Sequence, residues 1–276
     1  MGRRKYPLAG RTAVVTGAAS GIGRALAVRF ASQGCPVAIA DANAEGLADT
    51  EAMIGGPVFS QVLDVRERQG MLGFAAGVSE WAPTPIGVVV NNAGVATSQS
   101  FAEASPEDDE WVMDINFGGV VNGSHAFLPI LIEQNSGTLV NVSSIFGLFG
   151  FPFQSSYCAS KHAVRGFTEA LRHEMRGTGV SIAVVHPGGV KTNIVQNARF
   201  HKDEAGNENQ GEASERFARL ARTTPERAAE IIQSGVERGD PRIRIGADAV
   251  ATDLLVRIAP VRYFDIIDRL MPLLSR

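Results

Sequence analysis

The sequence predicts an α/β protein with one doubly wound parallel β-sheet of about seven strands and helices on both faces. Three observations lead to this prediction. Short segments rich in Val, Ile and Ala alternate with longer segments of helical length. Most of the short segments are apolar throughout, which is typical of strands covered on both faces. No linker-like stretch interrupts the alternation, so residues 1–276 are expected to form a single domain of Rossmann type.

The predicted elements follow one another in strand–helix order. Strands are expected at residues 12–16, 37–40, 58–63, 86–91, 137–143, 180–186 and 242–246. Helices are expected between them at 21–33, 43–54, 66–80, 106–134 and 155–176, since these segments carry polar residues on one side. Parallel neighbouring strands require crossover connections of this length.

Two segments near the C-terminus depart from the alternation. Residues 191–224 are polar, with HKDEAGNENQGEASER at their centre, and follow the sixth strand. They form either a solvated insertion or, as we favour, a substrate lid over the C-terminal ends of the strands, where open α/β sheets bind ligands. Residues 260–276 form an amphipathic helical tail that packs on its own subunit, on a partner or on a membrane surface. Acidic residues in the tail favour packing.

Composition and charge exclude several classes of protein. The 276 residues are 45% hydrophobic and 20% charged, which suffices for a full core, and the net charge of −3 argues against a nucleic-acid partner. The basic start, Met1–Tyr6, resembles that of a signal peptide, but no uninterrupted apolar run of ~18 residues follows, so neither export nor a membrane span is expected. The two cysteines form no disulfide framework and no metal cluster, so the sequence predicts a cytoplasmic protein without a metal site.

The first predicted strand ends in a glycine-rich turn, TGAASGIG, and a helix follows it. Glycines let the backbone approach a pyrophosphate, and the free N–H groups at the helix start attract its charge. The G-x-x-x-G-x-G spacing differs from the general dinucleotide fingerprint, so the strand–turn–helix context carries the prediction. The residues expected to contact a dinucleotide here are Gly17, Ser20, Gly21, Ile22 and Gly23.

Two acidic residues end the second and third strands. Asp41 lies eighteen residues after Gly23, where a carboxylate accepts hydrogen bonds from ribose hydroxyls and repels a 2′-phosphate. This favours NAD over NADP, although Asp41 is also placed to cap the helix that begins near Asn43. Asp64, followed by Val65, is suited to meet the adenine amino group or to cap the next helix.

The fourth strand ends in Asn91-Asn92-Ala93-Gly94. A hairpin turn is the alternative reading of this cluster, but a helical segment follows and no antiparallel partner strand does. The small residues Ala93 and Gly94 therefore predict that a cofactor lies against the backbone at Asn92, Ala93 and Gly94.

Tyr157 and Lys161 lie four residues apart near the start of a helix, so the phenol and the ammonium share one helix face. A cation this close is expected to lower the tyrosine pKa by about one to three units, which suits the phenol to acid–base work near neutrality. Ser144 ends the fifth strand thirteen residues before Tyr157. The combination of the three side chains predicts a catalytic site.

Together these motifs resemble the short-chain dehydrogenase/reductase family in its short, single-domain, NAD-preferring form, over about residues 8–192 and by architecture to about 258. The resemblance implies that Tyr157 is the acid/base, that Ser144 orients the carbonyl or alcohol, and that Lys161 lowers the tyrosine pKa and holds the nicotinamide ribose. Asn116 would support a water that links Lys161 to solvent. The resemblance further implies a homotetramer or homodimer through the helices at 106–134 and 155–176. The residues matching the family's nicotinamide contacts are Pro187, Gly188, Val190 and Thr192.

The sequence thus predicts an NAD-dependent oxidoreductase that interconverts a secondary alcohol and a ketone, both small molecules. An NADPH-dependent ketoreductase is one alternative, which Asp41 argues against, and a non-catalytic NAD-binding sensor or scaffold is another. Residues 145–154, between Ser144 and Tyr157, include four of the fourteen phenylalanines. These rings predict an apolar substrate, unless they belong to the core or a subunit interface.

Overall fold

A computed structural model describes residues 7–203 and 206–274 of the chain. Its main sheet has seven parallel strands in the spatial order β3-β2-β1-β4-β6-β7-β9, which confirms the predicted doubly wound Rossmann-type fold. The basic start at Met1–Tyr6 lies outside the described residues. The strands of this sheet are β1 (Thr12–Thr16), β2 (Val37–Asp41), β3 (Val58–Val62), β4 (Ile86–Asn91), β6 (Gly137–Val142), β7 (Val180–Pro187) and β9 (Arg242–Ile245), and the short strands β5 (Thr97–Ser98) and β8 (Arg199–Phe200) pair separately.

Helices cover both faces of the sheet. Alternate side chains of the buried strands point into two separate apolar clusters, one beneath α1 and α8 and the other beneath α3 and α5. Burial on both faces explains why the strand segments are apolar without alternation. The helices are α1 (Gly21–Ser32), α2 (Ala44–Ala52), α3 (Arg68–Trp81), α4 (Pro106–Met113), α5 (Gly119–Glu133), α6 (Ser155–Glu174), α7 (Gln210–Leu220), α8 (Pro225–Glu237), α9 (Ala247–Ile258) and α10 (Tyr263–Leu274).

The segment predicted as one helix at 106–134 is interrupted. Between α4 and α5 lies a turn of π-helix, Asp114–Gly118. Among the described residues, Pro106–Glu133 is the one helical stretch long and apolar enough to cross a membrane, with a mean hydropathy of 1.3 over its best window. Of that window, 44% is buried in the protein, where α5 packs on α3 and the sheet. Core helices of soluble proteins share this composition.

The polar segment at 191–224 contains more structure than its composition predicts. It leaves β7 and returns beside its own starting point, because the Lys191 N–H donates to the Thr223 carbonyl at 2.9 Å. Within it, β8 pairs with β5 and α7 forms an eleven-residue helix. The segment is therefore a long loop whose two ends are joined by a backbone hydrogen bond.

The two cysteines, Cys35 and Cys158, are free and buried. The tail at 260–276 begins as α10, where the Tyr263 ring packs edge-on against Phe149 with ring centroids 5.9 Å apart. The Tyr263 hydroxyl also accepts a hydrogen bond from the Gly150 N–H at 3.2 Å. The start of the tail thus packs on its own chain, and its last two residues lie outside the described part.

Candidate active site

The glycine-rich turn lies against the end of β4. Gly17 and Gly21 have φ angles of +67° and +54°, in the left-handed region that favours glycine. A Cβ on Gly17 would lie 2.6 Å from the Ala93 Cα, and one on Gly23 would lie 2.0 Å from the Gly17 oxygen. Side chains at Gly17 and Gly23 are thus excluded by backbone atoms, and the turn stays bare.

Asn92 fastens the turn to β4. Its Nδ2 donates to the Thr16 and Gly17 carbonyls at 3.0 and 3.1 Å. Ser20 is the N-cap residue of α1, but its side chain makes no capping hydrogen bond. The first N–H groups of this twelve-residue helix therefore keep their capacity to bind an anion beside the turn.

Asp41 closes the side of this turn at the end of β2. Its Oδ2 accepts the Ala19 N–H and its Oδ1 accepts the Asn43 N–H, both at 2.9 Å. The N-cap of α2 is Asn43, which accepts the Gly46 N–H at 3.0 Å. The carboxylate of Asp41 therefore faces the glycine-rich turn and does not serve as the helix cap.

Asp64, after β3, is bound by Arg66. The closest approach between carboxylate and guanidinium is 2.6 Å, and the side-chain hydrogen bonds from Arg66 lower the pKa of Asp64. The N-cap of α3 is Glu67, so Asp64 does not cap that helix. Val65 packs under α5, where a Cβ on Gly119 would lie 2.6 Å from its side chain.

Ser144, Tyr157 and Lys161 meet where β6 ends and α6 begins. A side-chain hydrogen bond joins Ser144 to Tyr157. The Lys161 Nζ lies 5.6 Å from the Tyr157 ring centroid and donates to the Val142 carbonyl at 3.2 Å. The neighbouring Ser143 donates instead to the Lys161 carbonyl at 2.8 Å. Of the two adjacent serines, Ser144 is the one that meets the phenol.

Burial controls the protonation of this group. It raises the pKa of Tyr157 to about 12, against a smaller lowering by the hydrogen bond with Ser144. It also lowers the pKa of Lys161 to about 8. The predicted lowering of the tyrosine pKa by Lys161 is therefore wrong for the protein by itself. The reason is that the site withdraws both groups from water, which disfavours the charged form of each.

Asn116 lies on the π-helical turn and is fully buried. Its Nδ2 donates to the Val95 carbonyl and to the Ser160 Oγ, both at 3.0 Å, and its Oδ1 accepts the Val95 N–H at 2.8 Å. A Cβ on Gly94 would lie 3.0 Å from the Asn116 Oδ1 and 3.1 Å from the Lys161 Nζ. Gly94 therefore fills the narrow space between Asn116 and Lys161, where a larger side chain would displace one of them.

The stretch after β7 borders the same edge of the sheet. Thr192 approaches the glycine-rich turn, since its methyl group is 3.1 Å from the Cβ position of Gly21. Val190 is buried and bridges to Thr223. Pro187 ends the strand, and a Cβ on Gly188 would lie 2.2 Å from an Asp248 carboxylate oxygen. Of the predicted residues of this stretch, Thr192 is the one shown beside the glycine-rich turn.

Sequence reasoning missed Asp248 and the contact made by His186. Asp248, in the first turn of α9, accepts the Gly189 N–H at 2.6 Å and so fixes the stretch after β7. His186 is fully buried, with its Nδ1 2.9 Å from the Ser144 carbonyl oxygen, and burial lowers its pKa to about 4. Neutral His186 therefore donates this hydrogen bond. Only the pairing of β6 with β7 brings the two residues together, so no local sequence signal marks the contact.

An apolar cluster surrounds Tyr157. The Phe146 ring meets the Tyr157 ring edge-on at 6.0 Å and stacks on Phe151 at 5.2 Å. Of the four rings in the phenylalanine-rich loop, Phe146 contacts the tyrosine, and Phe149 and Phe151 pack on Phe146. Other members come from after β4, from α4 and from the 191–224 segment, namely Val95, Ala96, Trp111, Val112, Ile194 and Ala198.

Within residues 7–203 and 206–274, no group of three or more His, Cys, Asp or Glu side chains is placed to hold a metal ion. The polar groups gathered at the edge of the sheet are instead a tyrosine, a lysine, a serine and an asparagine, beside a bare glycine-rich turn. Such a site is suited to proton transfer next to a bound nucleotide.

Comparison with known proteins assigns the family. The family described as short chain dehydrogenase matches residues 11–203. A putative oxidoreductase, SadH, from Mycobacterium tuberculosis is 44% identical over 260 residues, which are 92% of each chain. A short-chain dehydrogenase/reductase from Burkholderia phymatum, solved with NAD, superposes with a TM-score of 0.82 at 31% identity, over 91% of this chain and 94% of that one.

A serine dehydrogenase solved with NADP⁺ superposes with a TM-score of 0.75 at 28% identity, over 85% of this chain and 94% of that one. Similar structures thus hold either nicotinamide dinucleotide. With the family match over most of the chain and the parallel sheet already described, these findings agree with each other. The chain belongs to the short-chain dehydrogenase/reductase family and is an NAD(P)-dependent oxidoreductase that acts on CH–OH groups.

Proposed function

We propose that this protein uses NAD to interconvert a secondary alcohol and a ketone, that the substrate is apolar, and that Tyr157 is the general acid/base. The observation that carries the proposal is the convergence of Ser144, Tyr157 and Lys161 inside an apolar cluster at the carboxyl edge of the sheet. A non-catalytic sensor would need the nucleotide cradle but would have no use for a buried tyrosine hydrogen-bonded to a serine.

The cradle beside this cluster fits a dinucleotide. Added side chains at Gly17, Gly23 and Gly94 would meet neighbouring atoms at 2.0–3.1 Å, so these positions are kept bare while the start of α1 stays open to an anion. When bound, NAD accepts the hydride that leaves the alcohol, and NADH donates a hydride to the ketone in the reverse direction. The residues to which we assign cofactor binding are those of the turn, together with Asp41, Asp64, Val65, Asn92, Ala93, Gly94, Tyr157, Lys161, Pro187, Gly188, Val190 and Thr192.

The choice of NAD rests on Asp41. Its carboxylate lies beside the turn and is fixed there by two backbone N–H groups. A 2′-phosphate would bring a second negative charge to this point and would need a free cation. Arg24, which follows the turn on α1, is already engaged with the carbonyl of Gly46 and the hydroxyl of Thr50, both at 3.0 Å. Repulsion without a free cation favours the 2′-hydroxyl.

In alcohol oxidation, we assign to Tyr157 the removal of the hydroxyl proton while the carbinol carbon loses its hydride. Ser144 orients the substrate oxygen through the same hydroxyl that now meets the phenol. Lys161, when charged, favours the phenolate that the transfer needs. Asn116 is a positioning residue, because it binds Ser160 next to Lys161 and also holds the loop after β4. Ketone reduction reverses the proton transfer.

Charges around the site favour an uncharged substrate. Arg199 and Lys202 lie in the 191–224 segment. By sequence, they are the candidate cations for binding a carboxylate or phosphate group of a substrate. Arg199 is paired with Asp108 at 2.7 Å, and Lys202 reaches Glu103 at 3.5 Å and Glu208 at 3.9 Å. Since both cations are engaged by carboxylates, neither is free to bind an anionic substrate. The cluster at Tyr157 offers apolar contacts instead.

The experiment is a screen of polyols, linear, cyclic and aryl-alkyl secondary alcohols with NAD and with NADP, read by formation of reduced nicotinamide. We expect turnover of the apolar alcohols with NAD and a much lower affinity for NADP than for NAD. In Asp41→Ala the difference between these two affinities should be smaller. Tyr157→Phe should bind NAD normally and lose turnover by a factor on the order of 10² or more, because the proton acceptor is gone. Tyr263→Phe is the matched control with near-normal turnover.

Three results would contradict the proposal. Near-normal turnover in Tyr157→Phe would remove the acid/base assignment. A preference for polyols or sugar phosphates would remove the apolar substrate. Equal affinities for NAD and NADP would remove the role of Asp41.

A further inference from the structure

Trp111 lies on α4 and packs against the same apolar cluster as Phe146 of the phenylalanine-rich loop. It packs on the group that contains Tyr157, Val112 and Ala96, together with Ile194 from the 191–224 segment. Tyr157 is 7% exposed and packs within this cluster, so a substrate whose oxygen meets the phenol also lies beside the cluster. Whatever apolar group a substrate carries has to share this space with the indole ring.

The indole ring is held in place by the 191–224 segment. The guanidinium carbon of Arg199 lies 4.1 Å from the Trp111 ring centroid, and the Arg199 Nη1 is 2.7 Å from the Asp108 Oδ1. His201 reaches the other oxygen of Asp108 at 2.8 Å. Asp108 lies three residues before Trp111 on the same helix. The cation is therefore clamped over the ring by a carboxylate from the same helix, which opposes rotation of the indole away from the cluster.

The other large ring beside Tyr157 is held differently. Phe146 packs on Phe149 and Phe151 of its own loop and has no contact with the clamp among the described residues. Trp111 is the ring whose position depends on α4 and the 191–224 segment together. The contacts of Arg199 with Trp111 and with Asp108 therefore couple the position of the indole to that of the 191–224 segment.

We propose that Trp111 determines substrate specificity by limiting the length of the apolar group next to the reacting carbon, with Arg199 and Asp108 fixing the ring in its limiting position. This rests on the function proposed above and assigns one residue to its choice among apolar substrates. Replacing the indole by a methyl group opens space beside Tyr157, and a longer alkyl chain fills that space. Each methylene that the pocket accepts is then worth about one to two orders of magnitude in discrimination.

The test compares Trp111→Ala with the wild type on a homologous series of 2-alkanols from 2-butanol to 2-decanol in the presence of NAD. We expect the ratio of kcat/KM for 2-decanol to that for 2-butanol to rise about tenfold or more, with the affinity for NAD unchanged. Trp81→Ala is the matched control, since Trp81 packs on Phe59 under the sheet, and its ratio should stay at the wild-type value. An unchanged ratio in a folded, NAD-binding Trp111→Ala protein would overturn the proposal.

A second measurement is independent of turnover. The chain has two tryptophans, so the Trp81→Phe variant reports Trp111 fluorescence alone. With NAD present, 2-decanone should change this emission saturably, and Arg199→Gln should weaken the change by releasing the ring. Saturable change without any turnover would sink the oxidoreductase assignment on these alcohols but keep Trp111 at the binding site. No change in emission at saturating ketone, with activity intact, would place the ligand elsewhere and reject the inference.

Discussion

At the scale of single residues, Lys161 and Tyr157 are held in a place that suits neither of their charged forms. Burial lowers the pKa of the lysine to about 8 and raises that of the tyrosine to about 12, so the two values move apart. The site keeps the phenol of Tyr157 protonated and lowers the affinity of the Lys161 amine for its proton. Function and stability therefore compete at these two positions.

The pKa of Lys161 gives a prediction for stability. The pKa of Lys161 is 10.5 in the unfolded chain and about 8 in the folded protein, so folding favours the neutral amine. The destabilisation is complete below pH 8 and disappears as pH rises from 8 to 10.5, because the folded state binds fewer protons across that window. Lys161→Met should raise the free energy of unfolding of the cofactor-free protein at pH 7 by about 1–3 kcal/mol while abolishing activity.

Urea unfolding between pH 6 and pH 10 measures this. The gain in the free energy of unfolding of Lys161→Met over the wild type should shrink above pH 8. Lys191→Met, at an exposed lysine, is the control and should show no such gain. The raised pKa of Tyr157 has the opposite effect, a loss of stability as pH rises from 10 to about 12, and this window lies above the measured range. A lysine variant that is less stable than the wild type at pH 7 contradicts the assignment of burial as the dominant influence.

At the scale of elements, the 191–224 segment combines a pinned base with a polar body. Its ends are joined at Lys191 and Thr223, and its middle is held to α4 through Asp108 and to β5 through β8. Ion pairs of exposed side chains contribute little each, so we propose that the segment opens as a lid about its joined ends while the sheet stays closed. Opening exposes Tyr157.

Hydrogen exchange tests the lid. Amides of the described part of 191–224 should exchange faster than those of α6 in the cofactor-free protein and should slow on addition of NAD and an apolar ketone. Asp108→Asn should speed exchange there without changing α1, since it weakens both clamping contacts. Slow exchange that is indifferent to ligand and to this substitution would rule out a moving lid.

The strands and the main helices were predictable from the sequence because each depends on local periodicity and burial. Tyr157 and Lys161 were equally predictable, since helix geometry alone makes residues four apart neighbours. The π-helical turn around Asn116 was not, because it depends on how α4 and α5 pack. Structure within 191–224 was missed because it is held by ion pairs and short strand pairing across distant parts of the chain, which leave no apolar periodicity.

The pKa of Tyr157 was predicted with the wrong sign for a related reason. Sequence spacing places a cation near the phenol, but it says nothing about how much water remains around them. In the folded chain, Tyr157 packs with Phe146 and with residues from three other parts of the chain, and this burial raises its pKa. Proximity is a local property of sequence, whereas burial is a property of the whole fold.

At the scale of the whole molecule, we propose that the chain forms a homodimer or homotetramer through α5 and α6. The outer face of α6 is lined by small residues, including Ala159, Gly166 and Ala170, all exposed, and a Cβ on Gly166 would meet nothing within 4 Å. Small side chains let a helix from a second copy approach closely. Gly166→Arg should therefore shift the mass measured by light scattering towards the monomer.

Gly73→Arg, on the exposed side of α3, is the control for this substitution, since it adds the same side chain to an equally open position. Its mass should match that of the wild type. Identical masses for Gly166→Arg and the wild type would place any subunit contact elsewhere on the surface.

The two buried thiols report on the breathing of the fold. Burial raises the pKa of both Cys35 and Cys158, and the thiolate is the form that alkylating reagents attack. Cys35 lies between α1 and β2, and its thiol donates a hydrogen bond to the Leu8 carbonyl. Cys158 adjoins Tyr157 on α6. The rate at which iodoacetamide labels each cysteine therefore reports how often the structure around that cysteine opens. The ratio of the two labelling rates measures whether the helix bearing the tyrosine opens alone or only when the whole sheet comes apart.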